Sequence, residues 1–294
     1  MIDLHMHTKY SDGTDTVIDL LKKANEINLE MISITDHDEV GAYLELDSID
    51  INKYFSGKII RGAELRSVYR GRAIEILGYG IDVKRIMDSK YITNVSGSKR
   101  EEECLEILKN VGRKIGLKFD ESIRIGKPHA FASGTFSREI FSHPENRSII
   151  EEYGLVSEDG KNDFYRKGQS NPDSVFYIDE SDHVFNPEVI INEIHEAGGL
   201  AFLAHPLVYH FENKLETICA FVKEYDIDGI ECYHSLFSDE EIRGLLEICN
   251  KYNKYVSGGS DYHGTNKTDI ELGVGRGNLK ITYDMVSDWI DKVV

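Results

Sequence analysis

The feature that most constrains the fold of this chain is an alternation of short apolar strands with amphipathic helices. Strands are predicted at 2–6, 31–35, 58–65, 73–79, 200–204, 229–233 and 255–257. Helices with apolar residues at helical spacing are predicted at 16–27, 187–197, 215–225, 239–252 and 285–294. Histidines and acids stand in these strands or directly after them. This pattern predicts an α/β barrel, in which functional residues gather where the strands end.

The alternation is interrupted between residues 85 and 177. A clear amphipathic helix is predicted at 101–115, followed by shorter helical pieces that Gly, Ser, Asn and Pro separate. We interpret 85–177 as a small helical insertion that covers the barrel mouth and therefore the active site. The barrel domain would then comprise 1–84 and 178–294.

The distribution of charge separates the insertion from the rest of the chain. The chain has 34 basic and 52 acidic residues, a net charge of −18, whereas 85–177 contains 15 of each. A strongly acidic protein lacks the basic surface that long nucleic acids require, so we expect no such partner. The neutral insertion either reflects solubility alone or supplies cations for an anionic substrate.

Apolar runs and cysteines bear on the cellular location. No apolar run approaches the roughly 20 residues of a membrane span, and no secretory signal is predicted at the N-terminus. Cys104, Cys219, Cys232 and Cys249 are scattered and fit apolar strand or helix positions, as buried free thiols do. We therefore expect a cytoplasmic protein that does not bind membranes.

Residues that can bind a metal recur at the strand ends. His5 and His7 lie on one face of the first strand, although such a pair alone is a weak signal. The full set of candidate ligands is His5, His7, Asp12, His37, Glu64, Glu75, His205, Asp261 and His263. Mixed histidine and carboxylate ligands without a thiolate suit Zn²⁺, Mn²⁺ or Fe. Enough ligands are present for two or three divalent ions, with at least one bridging carboxylate.

The phrases around these residues resemble those of a known family. DLHxHx(4)DG, TDHD, GxE, AHP and GGSDxHG are similar to the motifs of the polymerase-and-histidinol-phosphatase (PHP) domain. The phrases at 196–206, 228–234 and 258–264 resemble its branch of small phosphoesterases, which includes nucleoside 3′,5′-bisphosphate phosphatases that also trim short RNA from the 5′ end. The resemblance implies a distorted (β/α)7 TIM-like barrel with a helical insertion.

The resemblance also implies how the ligands divide among the ions. His5, His7, Glu64 and Asp261 would hold one ion, and Glu64 would bridge to a second ion shared with His205 and position 75. Asp12, His37 and His263 would hold a third. His205, Asp12 and Asp261 would be the residues on which catalysis depends, and Asp36 would orient a histidine. Glu75 departs from the branch, which usually has histidine there.

The resemblance further suggests which residues bind the substrate. The segment IGKPH, containing Lys127 and His129, matches a phosphate-associated Arg-Pro-His of that branch, with lysine replacing arginine. Lys99 and Arg100 begin the long helix of the insertion and are further candidates, although each could be a solvated charge.

The function implied is hydrolysis of a small phosphomonoester, a nucleotide or nucleoside 3′,5′-bisphosphate, by a metal-activated hydroxide. The alternatives are a 5′–3′ exonuclease on short oligonucleotides, a histidinol-phosphate-type phosphatase and a catalytically silent metal-binding module.

Overall fold

The computed structural model describes residues 1–89, 98–126, 131–157, 160, 162–179 and 184–293, and only the backbone of residues 98 and 99. Seven strands form one sheet in the order of the chain. They are β1 Ile2–Met6, β2 Met31–Ile34, β3 Lys58–Tyr69, β4 Arg72–Tyr79, β5 Leu200–Leu203, β6 Gly229–His234 and β7 Tyr255–Gly259. The prediction of an α/β fold is confirmed.

The sheet curls so that its first strand meets the end of its last. The Asp261 N–H donates to the His5 carbonyl (2.9 Å), and the His7 N–H donates to the Tyr262 carbonyl (2.8 Å). These bonds continue β1 alongside the segment that directly follows β7. The result is a nearly closed seven-stranded barrel, and the seam between β1 and β7 carries several candidate ligands.

One strand runs against the others. β1, β2 and β3 are parallel, as are β5, β6 and β7, but β4 is antiparallel to β5. The reversal begins at Arg70 and Gly71, the two residues between β3 and β4, whose φ angles are +52° and +74°. A two-residue turn with both φ angles positive is typical of a tight hairpin. No helix therefore separates β3 from β4.

Helices surround the strands of this barrel. They are Val17–Glu26, Gly41–Ser48, Val83–Met87, Pro187–Glu196, Lys214–Glu224, Asp239–Tyr252 and Tyr283–Ile290, with 3₁₀ turns at Ile51–Lys53 and Gly264–Asn266. Local caps fix several starts: Thr16 accepts the Asp19 N–H, and Ser238 forms a capping box with Glu241. Every described helix is too short or too polar to traverse a lipid bilayer.

The barrel core lies at the end of the strands away from the candidate ligands. Tyr79, Phe202 and Trp289 pack together, with ring centroids 4.6 to 5.2 Å apart. The Trp289 indole donates to the Val256 carbonyl (2.8 Å), and the Tyr79 hydroxyl donates to the Leu4 carbonyl (3.1 Å). These bonds satisfy the polar groups that the aromatic side chains bury.

A second compact unit is formed by Val68–Ala73 and the segment from 96 to 183. Its helices are Ser98–Ile115, Ala132–Phe141 and Arg147–Glu152, with a 3₁₀ turn at Pro144–Asn146 and a π-helical turn at Tyr165–Gln169. Phe136, Phe164 and Phe176 form the centre of its own core. That this unit covers the barrel mouth stays a prediction.

Candidate metal centre

Four groups of histidine and carboxylate side chains lie close together in the barrel unit. In each group the candidate donor atoms lie within 4.8 Å of one another. The groups are His7–Asp12–His37–His263, His5–His7–Asp261, His5–Glu64–His205 and His37–Glu64–Glu75. Together they contain the nine residues that the sequence analysis names as candidate ligands, so the fold brings all nine into one site.

Glu64 is the central residue of the site. Its Oε2 lies 3.1 Å from His5 Nε2 and 3.3 Å from His7 Nε2, and its Oε1 lies 2.8 Å from His205 Nε2. His37 Nδ1 is a further neighbour, 3.2 Å from Oε2. The carboxylate is fully buried in the middle of β3. Each oxygen thus faces a different set of histidines, as a bridging ligand would.

Asp12 and His263 form the opposite end of the site. Asp12 Oδ1 lies 3.2 Å from His263 Nε2 and 3.8 Å from both His7 Nδ1 and His37 Nε2. Asp12 lies in the loop after β1 and His263 in the loop after β7, so this group spans the seam. The loops are joined as well, because Asn266 Nδ2 donates to the Asp12 carbonyl (2.6 Å).

Glu75 reaches the site from the antiparallel strand. Its Oε1 lies 3.4 Å from His37 Nδ1, and its Oε2 lies 3.3 Å from His205 Nε2. Only 13% of its side chain is exposed. Glu75 comes from the interior of β4 and not from a strand's C-terminal end, because β4 runs in the opposite direction. The carboxylate therefore lies among the candidate donor atoms, at the position where the resemblance led us to expect histidine.

The donor set fits divalent metal ions on three observations. Two ligands on a tetrahedral ion with bonds of about 2.1 Å lie about 3.4 Å apart, and most of the separations above are close to this value. Second, His263 Nδ1 donates to the Asp261 carbonyl (2.8 Å), which leaves the Nε2 lone pair directed toward Asp12. Third, His7 Nε2 and Asp12 Oδ1 are buried and make no hydrogen bond to any residue that the structure describes. Such atoms are available to an ion.

The pKa values of the histidines show which ring carries a proton that a metal ion would displace. Burial lowers the pKa of His263 to about 4, so this ring is a neutral donor at pH 7. Burial also acts against protonation of His7, but the Asp261 and Glu64 carboxylates outweigh it and raise the pKa of His7 to about 9. Without metal, a proton therefore balances the acids at His7. Metal binding has to displace that proton.

Two of the candidate ligands have unusual backbone conformations. His205 has φ +22° and Asp261 has φ +58°, in a region that residues other than glycine rarely adopt. Each is the second residue after the end of a strand. Strained backbone of this kind costs on the order of 1–3 kcal/mol per residue and is concentrated at functional sites, which agrees with the placement of both residues in the donor groups.

Sequence reasoning missed several residues that support the ligands. Glu231 is fully buried in β6 and contacts His5 and the backbone of His205. It is a single acid within a short apolar strand, so no spacing pattern marked it. Lys267 Nζ lies 2.5 Å from Asp261 Oδ2 and brings a cation to the site. The loop after β7 gave no signal for this lysine.

His234, which the sequence left undecided, also contacts Asp261. Its Nδ1 accepts the Leu236 N–H (3.2 Å), so the ring proton is on Nε2, which faces Asp261 Oδ2 at 3.3 Å. His234 thus acts as a donor to a candidate ligand. Asp36 accepts the Ser11 hydroxyl (2.6 Å), and Ser11 Oγ lies 3.5 Å from His7 Nδ1. This arrangement matches the expected orienting role of Asp36.

The predicted substrate-binding residues belong to the second unit. Lys127 and His129 lie outside the described residues, and of Lys99 only the backbone is described. Arg100 lies in the first turns of the helix Ser98–Ile115 and is half-buried. Their part in substrate binding stays a prediction.

Comparisons with known proteins show which proteins this chain is similar to. A family model described as the PHP domain matches residues 3–170. The 5′-3′ exoribonuclease Rnm of Escherichia coli strain K12 is 24% identical over 89% of this chain and 84% of its own length. A phosphoribosyl 1,2-cyclic phosphate 1,2-diphosphodiesterase of Eggerthella lenta is 25% identical, over 89% of this chain and 94% of its own length. A 3′,5′-nucleoside bisphosphate phosphatase of Chromobacterium violaceum is 22% identical, over 92% of this chain and 90% of its own length.

A solved structure supports the fold. The crystal structure of a protein from Bifidobacterium adolescentis, assigned as a metal-dependent phosphoesterase, superposes with a TM-score of 0.67. It covers all of this chain and 96% of its own chain at 22% sequence identity. At this identity the likeness establishes the barrel architecture.

Proposed function

The chain belongs to the PHP domain family and is a metal-dependent phosphoric ester hydrolase, and we propose that it removes phosphate from a nucleotide or nucleoside 3′,5′-bisphosphate. The observation that carries the proposal is the position of Glu64, whose two oxygens face different donor groups. A carboxylate placed in this way can join two adjacent ions. Two or three ions of Mn, Zn or Fe fit the nine donors.

The bound ions would lower the pKa of a water molecule and neutralise negative charge on the phosphoryl group. The chain's own residues prepare the site for this chemistry. His263 presents a neutral Nε2, because its Nδ1 carries the ring proton. Glu64 and Asp261 offer carboxylate oxygens and are held in place by contacts with His205 Nε2 and Lys267 Nζ.

Cations have to compensate the charge of a phosphorylated substrate. Within the barrel unit, Lys267 places its ammonium group beside Asp261, and 29% of its side chain is exposed. The predicted phosphate contacts of the second unit, Lys127 and His129, would add to this charge. A small substrate with one or two phosphates requires few such groups, which agrees with a chain of net charge −18.

A phosphate-release screen tests the proposal. Protein purified without chelator is supplied with Mn²⁺ and offered nucleoside monophosphates, 3′,5′-bisphosphates, sugar phosphates, histidinol phosphate and a cyclic phosphodiester. We expect the bisphosphates to give the highest kcat/KM. Release from sugar phosphates or histidinol phosphate alone would refute the substrate class, and fewer than one metal ion per chain would refute the multinuclear site.

A charge substitution in the second unit tests the predicted phosphate contact. Lys127→Ala should raise KM for the phosphorylated substrate about tenfold with a smaller change in kcat, because a ground-state ion pair is lost. Lys114→Ala removes an exposed lysine of the same unit and is the matched control. Equal KM values for the two variants would contradict a role of Lys127 in binding.

A second function is favoured by the likeness to the 5′-3′ exoribonuclease of Escherichia coli. Hydrolysis of the phosphodiester that follows the 5′-terminal nucleotide uses the same metal chemistry but requires space for a strand of several nucleotides. Short 5′-phosphorylated RNA with a labelled 3′ end distinguishes the two activities. Stepwise release of mononucleotides from the 5′ end would establish the exonuclease, whereas release of inorganic phosphate alone would support the phosphatase.

A further inference from the structure

None of the four donor groups found among the described residues includes a residue of strand β6. This strand nevertheless buries a carboxylate, that of Glu231, directly behind them. Glu231 Oε1 lies 2.9 Å from His5 Nδ1, and its Oε2 accepts the backbone N–H of His205 at 2.7 Å. Glu231 and His5 are fully buried. One side chain therefore contacts two candidate ligands that come from β1 and β5.

The chemistry of these two contacts restricts where hydrogen atoms lie. An ionised carboxylate only accepts hydrogen bonds, so both nitrogens that contact Glu231 carry a hydrogen. For His5 this places a proton on Nδ1. Nε2 lies 3.1 Å from Glu64 and 3.7 Å from Asp261 and donates to Glu64 without metal, so it is the nitrogen whose proton an ion would replace. A histidine binds metal through the nitrogen that the other nitrogen's hydrogen bond leaves available.

We propose that Glu231 is a positioning residue that selects the tautomer of His5 and fixes the backbone of His205 for metal binding. This inference rests on the proposed metal site. It adds a residue that acts through two candidate ligands, because its oxygens are engaged by His5 Nδ1 and the His205 N–H.

The backbone of His205 gives the second contact its importance. His205 has φ +22°, in the region that disfavours a residue with a Cβ atom. Its N–H does not pair with a neighbouring strand but with Glu231 Oε2. The bond holds the residue in a conformation that directs its Nε2 to Glu64 Oε1, 2.8 Å away. Loss of this bond would release the turn that carries a ligand.

A glutamine at position 231 cannot reproduce both contacts. Its amide has one acceptor oxygen, whereas Glu231 accepts a hydrogen bond with each oxygen. If the amide nitrogen faced His205, two N–H donors would meet. If it faced His5, Nδ1 would have to be the acceptor, and the proton would move to Nε2, where it blocks metal binding. Either arrangement damages one ligand without changing the size of the side chain.

The test compares Glu231→Gln with Asp3→Asn in the full-length protein. Asp3 is an equally buried carboxylate of the barrel, but it accepts the backbone N–H groups of His5, Ser260 and Gly273 and the Ser260 hydroxyl, and it contacts no ligand ring. Both variants remove one buried charge and one acceptor. They therefore control for general loss of stability, which melting temperatures record.

Two readouts distinguish positioning from stability. Zn²⁺ affinity is measured by competition with a chromogenic chelator, and long-range ¹H–¹⁵N spectra of Zn²⁺-loaded, ¹⁵N-histidine-labelled protein record which ring nitrogen of His5 carries the proton and which binds the ion. We expect Glu231→Gln to weaken the metal affinity 10- to 100-fold and to change the His5 ring signals. Asp3→Asn should leave the His5 tautomer as in the wild type.

The outcomes separate this inference from the proposed function. A wild-type protein that binds no metal would refute the proposed metal site. A wild-type protein that binds Zn²⁺ while Glu231→Gln matches its affinity and its His5 signals would refute only the role of Glu231. The same changes in Asp3→Asn would also overturn it. Should Glu231→Gln fail to fold, the wild-type spectrum decides: a proton on His5 Nδ1 supports the proposal, and a proton on Nε2 with metal on Nδ1 overturns it.

Discussion

Metal binding to this protein should release protons, and His7 sets the size of the effect. The neighbouring Asp261 and Glu64 carboxylates raise the pKa of His7 to about 9 against the effect of burial. In the metal-free protein His7 is therefore protonated at pH 7. A histidine binds a metal only in its neutral form, so each ion that occupies this group displaces the proton.

The magnitude follows from the pKa. Displacement of the His7 proton alone should lower the apparent metal affinity about tenfold per pH unit below pH 9, which is about 100-fold between pH 9 and pH 7, and the raised pKa of His5 makes the dependence steeper. The stability of the metal-free protein should change with pH in the opposite direction to the metal affinity. Because the folded pKa of His7 is raised above its usual 6.5, its stabilising contribution is complete below pH 6.5 and is lost as the pH rises to 9. The shift corresponds to at most about 3 kcal/mol.

Calorimetric titration provides the assay. Chelator-treated protein is titrated with Mn²⁺ at pH 7 in two buffers of different ionisation enthalpy, and the difference in heat gives the number of protons released per ion. Urea unfolding of the metal-free protein at pH 6.5 and 9 gives the stability change. His143→Gln, which replaces a partly exposed histidine of the second unit, is the control for the titration and should leave the proton count unaltered. A proton count near zero, with metal affinity independent of pH, would falsify the reasoning.

Three further predictions concern single residues of the barrel. His205→Asn should reduce phosphate release by more than the roughly 100-fold that the loss of an outer hydrogen-bond partner costs, and full turnover in this variant would exclude His205 as a ligand. Glu75→Gln removes a carboxylate charge 3.3 Å from His205 Nε2. It should weaken the metal affinity measured by chelator competition about 10- to 100-fold. An unchanged affinity would mean that Glu75 is not a ligand. Tyr79→Phe removes the hydroxyl that donates to the Leu4 carbonyl. It should lower the free energy of unfolding, measured by urea titration, by about 1–3 kcal/mol without altering the metal content. Equal stability would show that water satisfies the carbonyl.

Most of the candidate ligands could be named from the sequence because of the geometry of parallel strands, and that they bind metal stays a prediction. Side chains that follow adjacent parallel strands meet at one edge, so acids and histidines in these places are brought together whatever the details of the loops. His205 and Asp261 illustrate this, since each is the second residue after the end of a strand. The nine candidates could therefore be named from position and residue type.

The parts that could not be predicted depend on contacts distant in sequence. Glu231 carries no pattern of its own, and its importance arises only because β6 lies where His5 and His205 can reach it. The direction of β4 is a second case. The short connection after β3 allows a hairpin, but only the pairing of β4 with β5 shows how Glu75 enters the site. The second unit illustrates a third limit, because no periodic pattern places Lys127 relative to the barrel.

The seam between β1 and β7 has a consequence for how the protein folds. Glu64 and Glu75 lie on one hairpin, 11 residues apart, whereas Asp12 and His263 are separated by most of the chain. Local contacts form quickly, and contacts between distant segments have to await the closure of a long loop. The hairpin half of the site can therefore assemble early, while the half at the seam exists only once the first and last strands have met. An ion bound by donors from both halves would stabilise the closed barrel. The barrel would then open only after the ion dissociates, so slow dissociation would limit the rate of unfolding.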